Sequence, residues 1–61
     1  MGDAYVDRME VFKGRDGKWY FRAKSNNGET LFVSEAYERK ATAERYAAEI
    51  AGKHGVSVAT Q

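Results

Sequence analysis

The stretch "DGKWYFRAKSNNGETLFV", residues 16–33, decides the fold of this 61-residue chain. It places Trp19, Tyr20, Phe21 and Phe32 close together and carries Asn-Asn-Gly in its middle. Asn and Gly tolerate positive φ, so residues 26–28 predict a tight hairpin turn between a strand over 18–25 and another over 29–34. Upstream, residues 6–13 alternate and end at "GRDG", whose two glycines and aspartate predict a second turn. Three consecutive strands joined by two tight turns make an antiparallel meander, the simplest connection available.

From Ala41 the period changes. Ala43, Tyr46, Ala47, Ile50 and Ala51 recur at spacings of three and four, which draws one apolar stripe along a helix. Thr42 is the expected N-cap with Glu44 in the first turn, and Gly52 and Gly55, with Lys53 and His54, mark the end. The tail "VSVAT" fits a short fourth strand, because Val56 and Val58 share a face. The expected fold class is therefore α+β: a βββα unit, three antiparallel strands on one helix, with an ordered core over about residues 6–54 and a tail over 55–61. The whole chain, 1–61, reads as a single domain.

Length sets the energetics. A domain of about 60 residues buries only about 60% of the surface its unfolded chain exposes, so it needs a disulfide, a metal or a partner chain to supplement its core. Cys is absent and His54 is the one histidine, which removes disulfides, thiolate sites and histidine-rich metal sites. A partner remains, and a homodimer is the expected form. Ten basic against nine acidic residues give a net charge of +1, so any attraction to nucleic acid or an anionic membrane has to be local. No apolar run is long enough to span a membrane, and the start "MGDAYVDRME" bears acids where a secretory signal has basic and apolar residues. The expected location is the cytoplasm.

Alternation then sorts the side chains. Met9, Val11, Trp19, Phe21, Leu31 and Val33 carry no charge and are assigned to the helix side. The opposite face receives Phe12, Tyr20 and Phe32 together with Arg8, Glu10, Arg22, Lys24 and Thr30. A contiguous aromatic patch on a sheet face marks an interaction surface, so Phe12, Tyr20, Arg22, Lys24 and Phe32 are the candidate contact residues. Three occupants fit: a second copy, meeting this face or exchanging its tail; nucleic acid, through rings interleaved with Arg8, Arg22 and Lys24; and a protein partner anchored by Tyr and Arg. Glu10 on the same face counts against nucleic acid.

Catalysis finds little support. Glu35 and Glu38 form a conceivable carboxylate pair but read better as a solvated loop. Ser34 has no base beside it, since His54 belongs at the far end of the helix. Neither glycine segment has phosphate-loop spacing. No metal, cofactor or small-molecule substrate is expected.

The order "VFKGRDGKWYFRAKSNNGETLFVSEAY" followed by "KATAERYAAEI" resembles the YegP-like family of small bacterial and phage-associated proteins of uncharacterised function. The likeness runs from about Met9 to Ile50 and is carried by Val11, Lys13, Gly17, Phe21, Arg22, Asn27, Gly28, Glu29, Ser34, Tyr37, Lys40, Ala41, Ala43 and Glu44. It implies three antiparallel strands and a helix, often paired as a dimer or tandem duplication, and no catalytic residue. The chain departs from the pattern at Ala23, Ala36 and Arg39; the small Ala23 leaves space for Trp19 or Tyr46. A shorter likeness, in "GKWYFRAK" and the alanine-rich helix, is to the arm-binding domain of tyrosine integrases, which lays its sheet in the DNA major groove. The expected function is a non-catalytic binding or adaptor module, self-associating through its outer sheet face or tail, with nucleic-acid binding by that face as the alternative.

Overall fold

The structure is a computed structural model that describes residues 5–61; residues 1–4, the first part of the acid-bearing start, lie outside the described residues. Three strands, β1 (Val6–Lys13), β2 (Trp19–Ser25) and β3 (Thr30–Val33), precede helix α1 (Lys40–His54) and a fourth strand, β4 (Ser57–Thr60). The sheet order is β3-β2-β1-β4. β1 and β2 pair antiparallel, as do β2 and β3, whereas β4 lies parallel to β1. The meander, the helix and the tail strand stand as expected. The parallel partner of β4 is new information, because a four-residue strand carries no local sign of where it pairs.

Both turns rest on glycines with positive φ, Gly17 at 82° and Gly28 at 86°. An L side chain rarely adopts that backbone, which is why "GRDG" and "NNG" bend the chain where they do. At the second turn the Gly28 N–H donates to the Ser25 carbonyl at 3.0 Å, and the buried Ser25 hydroxyl accepts the Glu29 N–H at 3.2 Å.

The core is Met9, Val11, Phe21 and Ala23 from the sheet against Ala43, Ala47 and Ala51 from α1. Four alanines in that interface let the helix approach the sheet closely. Val6, Trp19, Tyr37, Ile50, Val56 and Val58 pack around it, half-buried. A Phe21–Tyr37–Tyr46 stack extends from the core to the surface, with centroids 6.0 and 5.5 Å apart. Tyr46 is therefore an exposed end of the apolar stripe rather than a filler beside Ala23.

Three further expectations are corrected. α1 begins at Lys40, after an extended Arg39 with no side-chain cap, so Thr42 is not the N-cap and the first turn holds no acid. Good helix formers at Lys40 and Ala41 carry the helix a turn past the cap that Thr42 appeared to offer. Gly52 lies inside the helix, which ends at left-handed Gly55. Most consequentially, Leu31 and Val33 are not core residues: they are 41% and 53% exposed. A register shift between Ala23 and Lys24 pairs Lys24 with Thr30 but Ala23 with Phe32, so Leu31 is the extra residue of a β-bulge. Every residue beyond Leu31 changes face. Phe32 joins Ala23 on the helix side, and Val33 joins Arg22 on the outer side.

Candidate interaction surface

The sheet face turned away from α1 is built by the β1–β2 ladder, where Arg8 faces Lys24, Glu10 faces Arg22 and Phe12 faces Tyr20. Four of the expected contact residues, Phe12, Tyr20, Arg22 and Lys24, are therefore brought together. Phe32 is not among them, because the bulge turns it to the other side.

The centre of this face is Glu10. Its side chain is only 7% exposed, although it stands on a sheet face that no helix covers. Two guanidiniums cover it instead: Arg8 Nε donates to Oε2 and Arg22 Nε to Oε1, each at 2.8 Å. Charge-assisted bonds to both oxygens are what make a nearly buried carboxylate tolerable. Arg22's hydrogen bond holds the carboxyl below its ordinary value of 4.5, against the cost of burial and with help from Arg8. Arg22 is fixed a second time, because its guanidinium carbon lies 4.5 Å from the centroid of Phe12.

Phe12 in turn stacks on Tyr20, with centroids 5.7 Å apart and planes 17° from parallel. Tyr20 packs against Gly14, where an added Cβ would come within 2.6 Å of the ring. The Tyr20 hydroxyl donates to Asp16, which holds the Asp16 carboxyl low and pushes the phenol up. Lys24 Nζ donates to Thr30 Oγ1 at 3.1 Å. The rings expected to lie open are thus engaged by one another, by Gly14 and by Arg22. The organising role of Glu10 was missed from sequence, yet it had a signal: Glu10 is two residues from Arg8 on one strand and lies across the hairpin from Arg22.

The residues considered for catalysis have other partners. The Ser34 hydroxyl accepts the Phe21 N–H at 2.9 Å and donates to the Glu35 carbonyl at 2.8 Å, which spends it on closing the β2–β3 connection. Glu38 takes an ion pair from Lys18. Among the described residues no three acidic or histidine side chains converge as a metal site would need. No helix of the described residues is long and apolar enough to cross a membrane.

The two edges of the sheet differ. β3 is exposed along its whole length, with Leu31, Phe32 and Val33 consecutive, but it is bulged. β4 pairs with β1 in unbroken register from Ser57 to Thr60 and carries neither a charge nor a proline.

Comparison with known proteins matches the middle of the chain, which holds β2, β3 and α1 but neither β1 nor β4. A family model described as "Domain of unknown function (DUF1508)" matches residues 15–56. A UPF0339 protein of Agrobacterium fabrum is 44% identical over 36 residues, which are 59% of this chain and 58% of that protein. A UPF0339 protein of Treponema denticola is 47% identical over 34 residues, 56% of this chain and 59% of that protein. A second from Agrobacterium fabrum is 46% identical over 35 residues, 57% of this chain and 56% of that protein. The chain spans a little under three fifths of the length of the curated relatives it matches. No solved structure matches the chain significantly.

Proposed function

Because the chain belongs to the DUF1508 family, whose function is not established, we propose its role from its surfaces: a non-catalytic binding module that pairs with itself through its tail strand. The observation that carries this reading is the character of β4. Natural edge strands are protected by charges, prolines or bulges, since an unpaired edge is a template for another strand. β3 has its bulge; β4, four residues long, has no charge, proline or bulge. Two β4 edges laid antiparallel about a two-fold axis join the sheets of two copies into one and supplement a core too small to stand comfortably alone.

The outer sheet face is the weaker route to self-association. Arg8, Arg22 and Lys24 stand there with Glu10 between the two arginines, so two copies meeting face to face bring like charges together, at a cost of several kcal/mol where they are directly juxtaposed. The same face offers nucleic acid little to stack on, because Phe12 and Tyr20 are already engaged.

Backbone parity gives a direct test. The Gln61 N–H donates to the Val11 carbonyl, so the alternate residues Val58 and Thr60 turn their N–H groups away from β1, towards the open edge. Hydrogen exchange at the Val58 and Thr60 amides is expected to slow as protein concentration rises. Exchange that stays fast and independent of concentration overturns pairing through β4.

A further inference from the structure

Where β1 ends and β2 begins, Lys13 faces Trp19 across the ladder, on the helix side of the sheet. Lys40, the first residue of α1, reaches the same ring. The two ammonium nitrogens lie 6.0 and 5.7 Å from the indole centroid. The ion pairs among the described residues engage Arg8, Lys18 and Arg22 but neither of these lysines. Arg15, in the turn beside them, and Arg39, next to Lys40, add charge of the same sign at this end. Of the nearby acids, Glu38 is held by Lys18 and Asp16 by Tyr20.

Like charges gathered on one aromatic ring repel one another, and an anion seated between them turns that repulsion into attraction. The ring narrows the class of anion. Trp19 is half-buried, with its backbone fixed by two hydrogen bonds to Tyr37, so it is held in place while part of it stays open. An acidic peptide uses the lysines and leaves the indole idle. An unpaired nucleotide uses both, its phosphates meeting the ammoniums and its base stacking on the indole. At 5.7 and 6.0 Å from the centroid the two ammoniums sit at the outer range of a cation–π contact, looser than Arg22 on Phe12 at 4.5 Å, and their flexible stems allow them to swing to phosphate.

We infer that the end of the molecule formed by Lys13, Trp19 and Lys40 is a binding site for single-stranded nucleic acid, distinct from the outer sheet face and independent of pairing through β4. Trp19 is the one tryptophan in the chain, so its fluorescence reports on this site alone. The experiment titrates the protein with a twelve-nucleotide oligothymidylate across a series of salt concentrations. The same titration follows for Lys13→Gln/Lys40→Gln and for Arg22→Gln, with circular dichroism on each variant.

Saturable quenching is expected, with a logarithmic salt slope of about −1.4 for two phosphates on a single strand. The double lysine variant should weaken binding at least tenfold while keeping its fold, and Arg22→Gln should leave it near that of the wild type. Four results overturn the inference: no quenching; quenching that ignores salt; loss in Arg22→Gln rather than in the lysine variant, which moves the site to the outer face; or equal quenching by polyglutamate, which makes the site one for acidic chains. If the lysine variant fails to fold, Lys13→Arg/Lys40→Arg takes its place. It must retain both binding and the salt slope, and loss of either counts against the assignment.

Discussion

The two edges of this sheet invert a common intuition about exposed surface. β3 shows three consecutive apolar residues to solvent and looks the more adhesive; β4, Ser-Val-Ala-Thr, looks bland. Yet β3 is interrupted by the bulge at Leu31, and β4 is uncharged and pairs in unbroken register. Strand pairing depends on a regular row of backbone donors and acceptors, and side-chain greasiness is secondary to it. The proposed pairing through β4 therefore makes the blander edge the one that recruits a partner.

The largest expected effect concerns the core that both edges depend on. Phe21 lies on β2, is buried beneath α1 and stacks on Tyr37. Phe21→Ala is expected to cost about 3–5 kcal/mol, enough to unfold a small domain, as read by chemical denaturation. A variant of near wild-type stability would contradict the inward placement.

Next comes Glu10, which ties β1 to β2 between the two edges. Glu10→Gln removes the charge from two charge-assisted bonds and is expected to cost roughly 1.5–3 kcal/mol. The sign of its pH dependence follows from its lowered value. Because the folded carboxyl holds its proton less tightly than the unfolded one, its stabilising contribution is complete above the ordinary value of 4.5 and is lost as pH falls through the folded value. Acid titration of stability should therefore be shallower in Glu10→Gln than in the wild type. Identical curves would mean that the two arginines are not holding Glu10.

A smaller effect is expected at Gly14. Gly14→Ala drives a Cβ into the Tyr20 ring and should cost about 1 kcal/mol or more, with perturbed Tyr20 and Phe12 ring resonances in NMR spectra. Smallest in stability, but most pointed, is the pair of edge substitutions. Val33→Lys on β3 and Ala59→Lys on β4 both fall on exposed strand positions and should each stay within about 0.5 kcal/mol for the folded chain. They should differ in association alone, and Phe32→Ala should behave like Val33→Lys.

Much of this architecture was legible in the chain, for reasons that also explain the misses. The hairpins were written in Gly17 and Asn27-Gly28, because positive φ restricts the choice of residue. The core positions of β1 and β2 follow from alternation, since Met9, Val11, Phe21 and Ala23 share one parity while Arg8, Glu10, Arg22 and Lys24 occupy the other. β3 defeated the same rule. Leu31, Phe32 and Val33 are apolar at both parities, so nothing in them signals a one-residue bulge, and a single extra residue exchanges the faces. That is why Phe32 was assigned to a surface it does not join, while Phe12, Tyr20, Arg22 and Lys24 were placed together. Alternation puts Trp19 in the core because it shares parity with Phe21; its position at the end of the strand leaves it half-covered, between lysines that are far apart in sequence.

The account's central claim is that copies of this chain pair through β4, and solution mass by light scattering across a concentration series tests it most directly. The wild type and Val33→Lys are expected to be dimers, and Ala59→Lys a folded monomer. A monomeric wild type, or a dimer that Ala59→Lys leaves intact while Val33→Lys breaks it, would contradict the claim.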